Sequence, residues 1–384
     1  MIIAVRPVNP ARRLLCAAIA SLAIVAPFAS FGAVPTGSPE DVGMSSERLA
    51  RIGAVVQEHI DAGDVSGAVT LVARRGHVVH FEAQGLMDLE SRTPMPKDAI
   101  FRLASMTKPI IAVAVMMLVE EGTVRLSDPV SRYIPEFARL DKVAVPSPAN
   151  SERPYDVVTA ERPITVKDLL THASGLVSGG LGAAAAEQIA PRTEDDTLAT
   201  YIPKLADVPL DFQPGTLWRY SGQAGFDVLA RIVEVASAQS IDEFLSVRLF
   251  EPLGMTSTGF YFPDERERRL PTMYSRTEQG LSRLDRPLND TYFSGGGGLA
   301  SSAEDYLQFA QMLLNGGELN GRRYLGTRTV ELLTANHTGD KVNGQFGRPA
   351  QGMASASACR SCSIRSRPSS SSRKARTVGR AEPA

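Results

Sequence analysis

The stretch FRLASMTKPIIAVAVMMLVEEG, residues 101–122, decides the fold. Ten consecutive apolar residues, from Ile110 to Val119, precede two glutamates and Gly122, and a glycine commonly ends a helix. A helix that is apolar on every side is buried, and ten residues are too few to cross a membrane. The stretch therefore predicts a helix at the centre of a soluble core. Because proline is tolerated only in the first turn, Pro109 requires this helix to begin close to Ser105.

Ser105 and Lys108 would then lie on the opening turn, where residues three apart share one face of the helix. A serine hydroxyl attacks a carbonyl group when a base takes its proton, and a buried lysine can be that base. Free backbone N–H groups at a helix start can also hold an oxyanion. The same S-x-x-K spacing recurs at Ser371 and Lys374 in a polar segment, so the spacing alone is not specific.

The segment SMTKPI, residues 105–110, resembles the serine-lysine motif of the penicillin-binding-protein and class C β-lactamase-like serine hydrolases, a group that includes the family VIII carboxylesterases. Three later segments resemble further signatures of this group, in the same order: LSDPVSRYIPEF (126–137), LLTHASGL (169–176) and FSGGGGLASSAEDYLQF (293–309). The resemblance covers about residues 42 to 347. It implies an α/β (α+β) fold in which a mainly antiparallel sheet is flanked by helices and carries an inserted all-helical lobe.

The family's second motif is Y-x-N or a relative of it, and here it corresponds to Tyr220-Ser221-Gly222. The resemblance implies a serine hydrolase in which Ser105 forms an acyl-enzyme, while Lys108 and Tyr220 take up and return its proton. Gly222 replaces the Asn of the lactamase branch, which favours small-molecule carboxylic esters over related amides. A β-lactamase or D-amino-acid peptidase, and a defective product without catalysis, are the alternatives.

Local patterns predict the elements around the central helix. Residues 45–62 carry apolar side chains at helical spacing, and the β-rich runs 68–73 and 78–82 form a predicted hairpin. The proline-rich polar stretch 139–162 predicts a surface loop. Apolar positions from Phe226 to Val233 predict a further helix. Two helix starts have the residue spacing of an N-terminal cap: Thr165 with Asp168, and Ser302 with Asp305.

Charge and histidine content argue against two classes of partner. The whole chain has a formal charge of −1, and without residues 348–384 it holds 33 basic and 41 acidic residues, which argues against a nucleic-acid partner. The five histidines form no HExxH motif, and His77 and His80 lie on opposite faces of a predicted strand, so no metal or other cofactor is expected. His172 is interpreted as a hydrogen-bonding residue, because the G-x-S-x-G motif of many Ser-His-Asp hydrolases is missing.

Residues 1–32 have the layout of a secretory signal peptide. Arg12 and Arg13 precede an apolar run from Leu14 to Val25, which is followed by small residues. We expect cleavage after Gly32 and a periplasmic or secreted protein with no stable membrane insertion after cleavage. An uncleaved membrane anchor is the alternative, although the apolar run is short for a membrane span.

The serine hydrolase domain is expected to span residues 33–347 and to be followed by a disordered basic tail at 348–384. From residue 354 onward, Ile364 and Val378 are the only large aliphatic residues, and no aromatic residue is present. Such a segment cannot bury the face of a strand. The family's third motif, Lys/His/Trp-x-Gly on a strand of the cleft, is missing from it.

A reading-frame shift after Met353 explains both the abrupt change in composition and the missing motif. In the shifted frame, each codon consists of the third base of one present codon and the first two bases of the next. The amino-acid sequence leaves many third bases open, so any base that the genetic code permits can be used there. Residues 354–365 then read as LGLGVSVLLDP and residues 374–381 as GTYGWAG. The first string is rich in strand-forming residues and the second contains Trp-x-Gly. We favour this hypothesis over a genuine tail.

Restoring the reading frame after Met353 is expected to raise both the stability and the turnover of the protein. The present sequence lacks strands that would cover the Ser105 helix and supply a second oxyanion donor, and losing one such donor costs roughly 10²–10³ in rate. Re-sequencing of the gene, thermal melting and an ester hydrolysis assay test this prediction. A confirmed sequence, with a cooperative melt and normal turnover of the 384-residue protein, would refute it.

Overall fold

The computed structural model describes residues 34–341, so the predicted signal peptide (1–32) and tail (348–384) lie outside the described residues. The strands of this part are β1 (Gly67–Arg74), β2 (His77–Asp88), β3 (Thr93–Pro94), β4 (Ile100–Arg102), β5 (Lys142–Pro146), β6 (Tyr155–Thr159), β7 (Met273–Thr277), β8 (Gly280–Leu284), β9 (Ala300–Ser302), β10 (Glu318–Leu319) and β11 (Arg322–Arg323). Its α-helices are α1 (Ser46–Asp61), α2 (Thr107–Glu120), α3 (Val166–Leu170), α4 (Leu181–Ile189), α5 (Leu198–Tyr201), α6 (Ala224–Ser237), α7 (Ile241–Leu245), α8 (Glu251–Leu253), α9 (Ala303–Leu314) and α10 (Thr327–Thr334). All pairings between these strands are antiparallel.

Helix α2 is the centre of the core. Each of its residues from Thr107 to Leu118 is buried, and the helix packs against α6. Full burial of a large apolar side chain stabilises the fold by about 1.5–3 kcal/mol, so the apolar run holds this helix in the interior. The predicted buried helix is confirmed. The α-helix begins at Thr107, and Ser105 lies in the 3₁₀ turn directly before it, Ala104–Met106.

Strand pairing brings a distant segment to the start of α2. The predicted hairpin of β1 and β2 is confirmed, and β3 extends it to a three-stranded sheet. β4, directly before the turn that carries Ser105, pairs with β9 so that Phe101 lies opposite Ser301. The Leu103 N–H donates to the Leu299 carbonyl at 2.8 Å. The glycine-rich segment that precedes β9, residues 292–299, is thereby held beside the start of α2.

The segment 139–162 is not the surface loop that its prolines suggested. β5 and β6 form an antiparallel hairpin there, and Val143 and Ala144 are buried. The Ala144 N–H also donates to the Leu210 carbonyl at 2.8 Å, which attaches the hairpin to the segment after α5. Pro146 is the last residue of β5, so the proline ends the strand instead of preventing it. The inserted lobe is therefore mainly helical rather than all-helical.

The predicted helix caps are confirmed. At α3, Thr165 Oγ1 accepts a hydrogen bond from the Asp168 N–H, and the Asp168 carboxylate accepts one from the Thr165 N–H. At α9, Ser302 Oγ accepts from the Asp305 N–H. The predicted mixed α/β fold, with antiparallel strands flanked by helices, is confirmed as well. Between residues 34 and 341, no helix is both long and apolar enough to cross a membrane.

Candidate active site

Ser105, Lys108 and Tyr220 meet at the start of α2. Lys108 Nζ lies 3.2 Å from Ser105 Oγ, and the Tyr220 hydroxyl donates to the same oxygen at 2.7 Å. Ser105 is exposed, whereas Lys108 is only 3% exposed. The serine hydroxyl is therefore accessible to a substrate and contacts two groups that can exchange its proton.

The amine of Lys108 has three hydrogen-bond partners within residues 34–341. Besides Ser105 Oγ, its Nζ lies 2.6 Å from the Gly222 carbonyl oxygen and 2.6 Å from the Gly296 carbonyl oxygen. The ammonium form can donate to all three oxygens. The neutral amine can donate to the two carbonyls and accept from the Ser105 hydroxyl. Lys108 can therefore gain or lose the serine proton without moving.

The glycine-rich segment approaches the site because its residues have no side chains. A Cβ atom on Gly295 would lie 2.4 Å from the Phe226 carbonyl oxygen, and one on Gly296 would lie 2.6 Å from Gln223 Cα. Both distances are too short for non-bonded atoms, so glycine is required at these two positions. The segment presents the Gly296 carbonyl to Lys108.

His172 contacts the loop that carries Tyr220. Its Nδ1 accepts a hydrogen bond from the Ser221 N–H at 3.2 Å, and its ring centroid lies 4.7 Å from that of Tyr220. Burial, with a smaller effect of the Lys108 charge, lowers the pKa of His172 to about 3, so the ring is neutral at pH 7. Within the described residues, the Ser105 hydroxyl is bonded to Lys108 and Tyr220 and not to His172.

Sequence reasoning did not identify Asp227, whose buried carboxylate accepts a hydrogen bond from the Gly296 N–H. The available signal was an acid within the apolar helical run AGFDVLARIV, because aspartate is rarely buried without partners. The carbonyl contacts of Gly222 and Gly296 leave no trace in side-chain patterns.

No metal-binding group of side chains is found between residues 34 and 341. In that range, no three His, Cys, Asp or Glu side chains are grouped to hold a metal ion.

Comparison with known proteins gives consistent matches. The beta-lactamase family model matches residues 52–355. An uncharacterized protein of Mycobacterium tuberculosis is 38% identical over 301 residues, which cover 75% of this chain and 72% of that protein. Esterase EstB of Burkholderia gladioli is 33% identical over 288 residues, covering 67% of this chain and 68% of EstB. The solved structure of EstCE1, a hydrolase with promiscuous acyltransferase activity, has a TM-score of 0.64 at 28% identity, covering 77% of this chain and 78% of EstCE1.

Acidification is expected to destabilise the protein in part through His172. Its pKa is about 3 in the folded chain, below the ordinary 6.5, so between these pH values the unfolded chain binds more protons. As pH falls through this range, His172 lowers the free energy of unfolding by up to about 1.4 kcal/mol per pH unit. His172→Asn keeps an acceptor for the Ser221 N–H and tolerates the φ of 55°, and it should flatten the slope measured by urea denaturation. An unchanged slope would contradict a buried neutral histidine.

Proposed function

The chain belongs to the beta-lactamase family and is a serine hydrolase, and we propose that it cleaves carboxylic esters through an acyl-enzyme on Ser105. One observation carries the proposal: the exposed Ser105 hydroxyl contacts Lys108 Nζ at 3.2 Å and the Tyr220 hydroxyl at 2.7 Å. A serine with partners that can take and return its proton has what acyl transfer needs. The proposed reaction uses no metal or other cofactor.

In this reaction, Ser105 Oγ attacks the ester carbonyl carbon while the serine proton passes to Lys108 Nζ. Lys108 accepts the proton in place, because its other two contacts, to the Gly222 and Gly296 carbonyls, persist. The proton then reaches the leaving alcohol through the Tyr220 hydroxyl, which lies beside Ser105 Oγ. Water attacks the acyl-enzyme along the reverse path and releases the carboxylic acid. The Ser105 N–H is assigned to the developing oxyanion.

Two observations support esters as the substrate class. EstB is named an esterase, and EstCE1 is described as a hydrolase with acyltransferase activity. Gly222, whose carbonyl accepts from Lys108, leaves open space where a side chain would begin, since a Cβ atom there would meet no atom within 4 Å. The site therefore lacks the side-chain amide that the lactamase branch has at this position. β-Lactams and D-amino-acid peptides are the second candidate class.

We also propose export to the periplasm or beyond. The support is the layout of residues 1–32, where Arg12 and Arg13 precede an apolar run and small residues. N-terminal sequencing of the protein from the periplasmic fraction tests this, and a chain that keeps Met1 in the cytoplasm would contradict it.

Ser105→Ala is expected to abolish covalent labelling of the purified protein by a fluorophosphonate probe. The probe phosphonylates an activated serine hydroxyl with loss of fluoride, and this single covalent event is detectable even when turnover is slow. Ser371→Ala is the matched control, because Ser371 has Lys374 at the same spacing and should not be the labelled residue. Labelling that survives in Ser105→Ala, or disappears in Ser371→Ala, would show the assignment to be wrong.

Variants of Lys108 and Tyr220 test how much each partner of Ser105 contributes to the reaction. Lys108→Ala should slow labelling and hydrolysis by roughly 10²–10⁴-fold, which is typical for loss of a general base. Tyr220→Phe keeps the ring beside His172 and removes only the hydroxyl, so turnover should fall with little change in stability. A variant that is destabilised yet fully active per folded molecule would show that Tyr220 is only a packing residue.

The substrate class is tested on the wild-type protein. Faster reaction with a fluorescent penicillin than with an ester would favour the β-lactam alternative.

A further inference from the structure

Asp227, near the start of α6, is buried beneath the site. Its Oδ1 accepts hydrogen bonds from the Ser294 hydroxyl at 2.7 Å and the Gly296 N–H at 2.8 Å, and its Oδ2 accepts one from the Tyr292 hydroxyl at 2.8 Å. A buried carboxylate needs such donors, because an unpaired buried charge is costly. All three donors belong to the segment that presents the Gly296 carbonyl to Lys108.

Helix capping does not explain this carboxylate. A capping side chain accepts from an N–H two or three residues later in the same helix. The donors to Asp227 lie 65 to 69 residues away in the chain, and none of them is an N–H of α6. The carboxylate is therefore directed at the glycine-rich segment and not at its own helix.

Gly296 is held at both ends of its backbone by two buried ionisable side chains. Its N–H donates to Asp227 at 2.8 Å, and its carbonyl accepts from Lys108 at 2.6 Å. One glycine residue thus separates the carboxylate from the amine. The other two acceptors of Lys108, the Gly222 carbonyl and Ser105 Oγ, carry no charge. A nearby opposite charge favours the ionised form of each partner.

The surroundings of Asp227 contain opposing influences on its charge. Burial raises the pKa of the Asp227 carboxyl above its ordinary value, and its three hydrogen bonds and the charge of Lys108 oppose this rise without cancelling it. Burial and the Asp227 charge raise the pKa of Tyr201 and of Tyr292, so both phenols are neutral at pH 7, and Tyr292 donates to Asp227. Among residues 34–341, the ionisable groups around Asp227 and Lys108 include neutral His172, Tyr201, Tyr220, Tyr292 and Arg192, whose guanidinium lies 4.5 Å from the centroid of the Tyr292 ring.

We propose that Asp227 is a positioning residue of the reaction. As an ionised carboxylate, it fixes the Gly296 carbonyl on Lys108 Nζ and stabilises the ammonium form that Lys108 adopts after it takes the proton of Ser105. The inference rests on the proposed function of Ser105. Within residues 34–341, Asp227 is hydrogen-bonded to Tyr292, Ser294 and Gly296 and not to Ser105. It therefore acts through Lys108, and its loss should lower kcat and leave KM nearly unchanged.

The test compares Asp227→Asn with Asp305→Asn. Asp305 is the matched control because it is also buried, burial also raises its pKa, and its carboxylate accepts from Ser257 and Thr258, outside the site. The side-chain nitrogen of Lys108 is observable by NMR in protein with 15N-labelled lysine, since the chain has seven lysines and Lys108→Arg identifies the signal.

Asp227→Asn is expected to move the titration of the Lys108 nitrogen signal to lower pH by about one unit or more, and Asp305→Asn should leave it in place. Asp227→Asn should also lower kcat by roughly 10- to 100-fold, beyond any loss of folded protein. An unchanged Lys108 titration in folded Asp227→Asn overturns the proposal, because it would mean that no charge was removed. The NMR signal of Lys108 can be measured without turnover. If the fluorophosphonate probe failed to react with Ser105 in the wild-type protein, that result would refute the proposed function and leave this NMR test unaffected.

A second measurement does not depend on the folding of Asp227→Asn. In wild-type protein with 13C-labelled aspartate side chains, the proposal requires a carboxylate signal for Asp227 at pH 7. A carboxylic-acid signal that persists in Asp305→Asn would identify a protonated Asp227 and overturn the proposal.

Discussion

The buried amine of Lys108 is the constraint on which the site depends. Lysine is almost never fully buried unless its amine is paired, and here two backbone carbonyls and the Ser105 hydroxyl pair with it. These three oxygens come from the turn before α2, the loop before α6 and the segment before β9. Satisfying one amine therefore fixes the relative positions of three segments. The exposed serine is placed as a result of that arrangement.

Local sequence patterns predicted those parts of the fold that local physics determines. The apolar run from Ile110 to Val119 fits a buried helix, and helical geometry then brings Ser105 to Lys108. The hairpin β5–β6 was missed because its support is not local: Ala144 pairs with Leu210, and nothing within 139–162 reveals that partner. Prolines near the turn dominated the local pattern, although one of them only ends a strand.

The site was predicted as far as its side chains carry recognisable chemistry. Ser105, Lys108 and Tyr220 stand in motifs, and the structure brings all three together. The contacts that hold the amine are made by the backbone carbonyls of Gly222 and Gly296, and a backbone carbonyl, which every residue has, leaves no pattern that identifies it as the acceptor. Asp227 was missed for a different reason: its partners follow 65 to 69 residues later, and the sequence alone does not connect them.

The distance along the chain between Lys108 and Gly296 has a consequence for how reactivity arises. The two residues are 188 positions apart, and contacts of high sequence separation form only after a large entropic cost of loop closure has been met. Until the glycine-rich segment has been synthesised and packed against α6, the amine remains hydrated like that of any surface lysine. A nascent chain therefore contains the serine and the lysine long before it contains a nucleophile. Reactivity of Ser105 would report completion of tertiary structure, not the presence of the polypeptide.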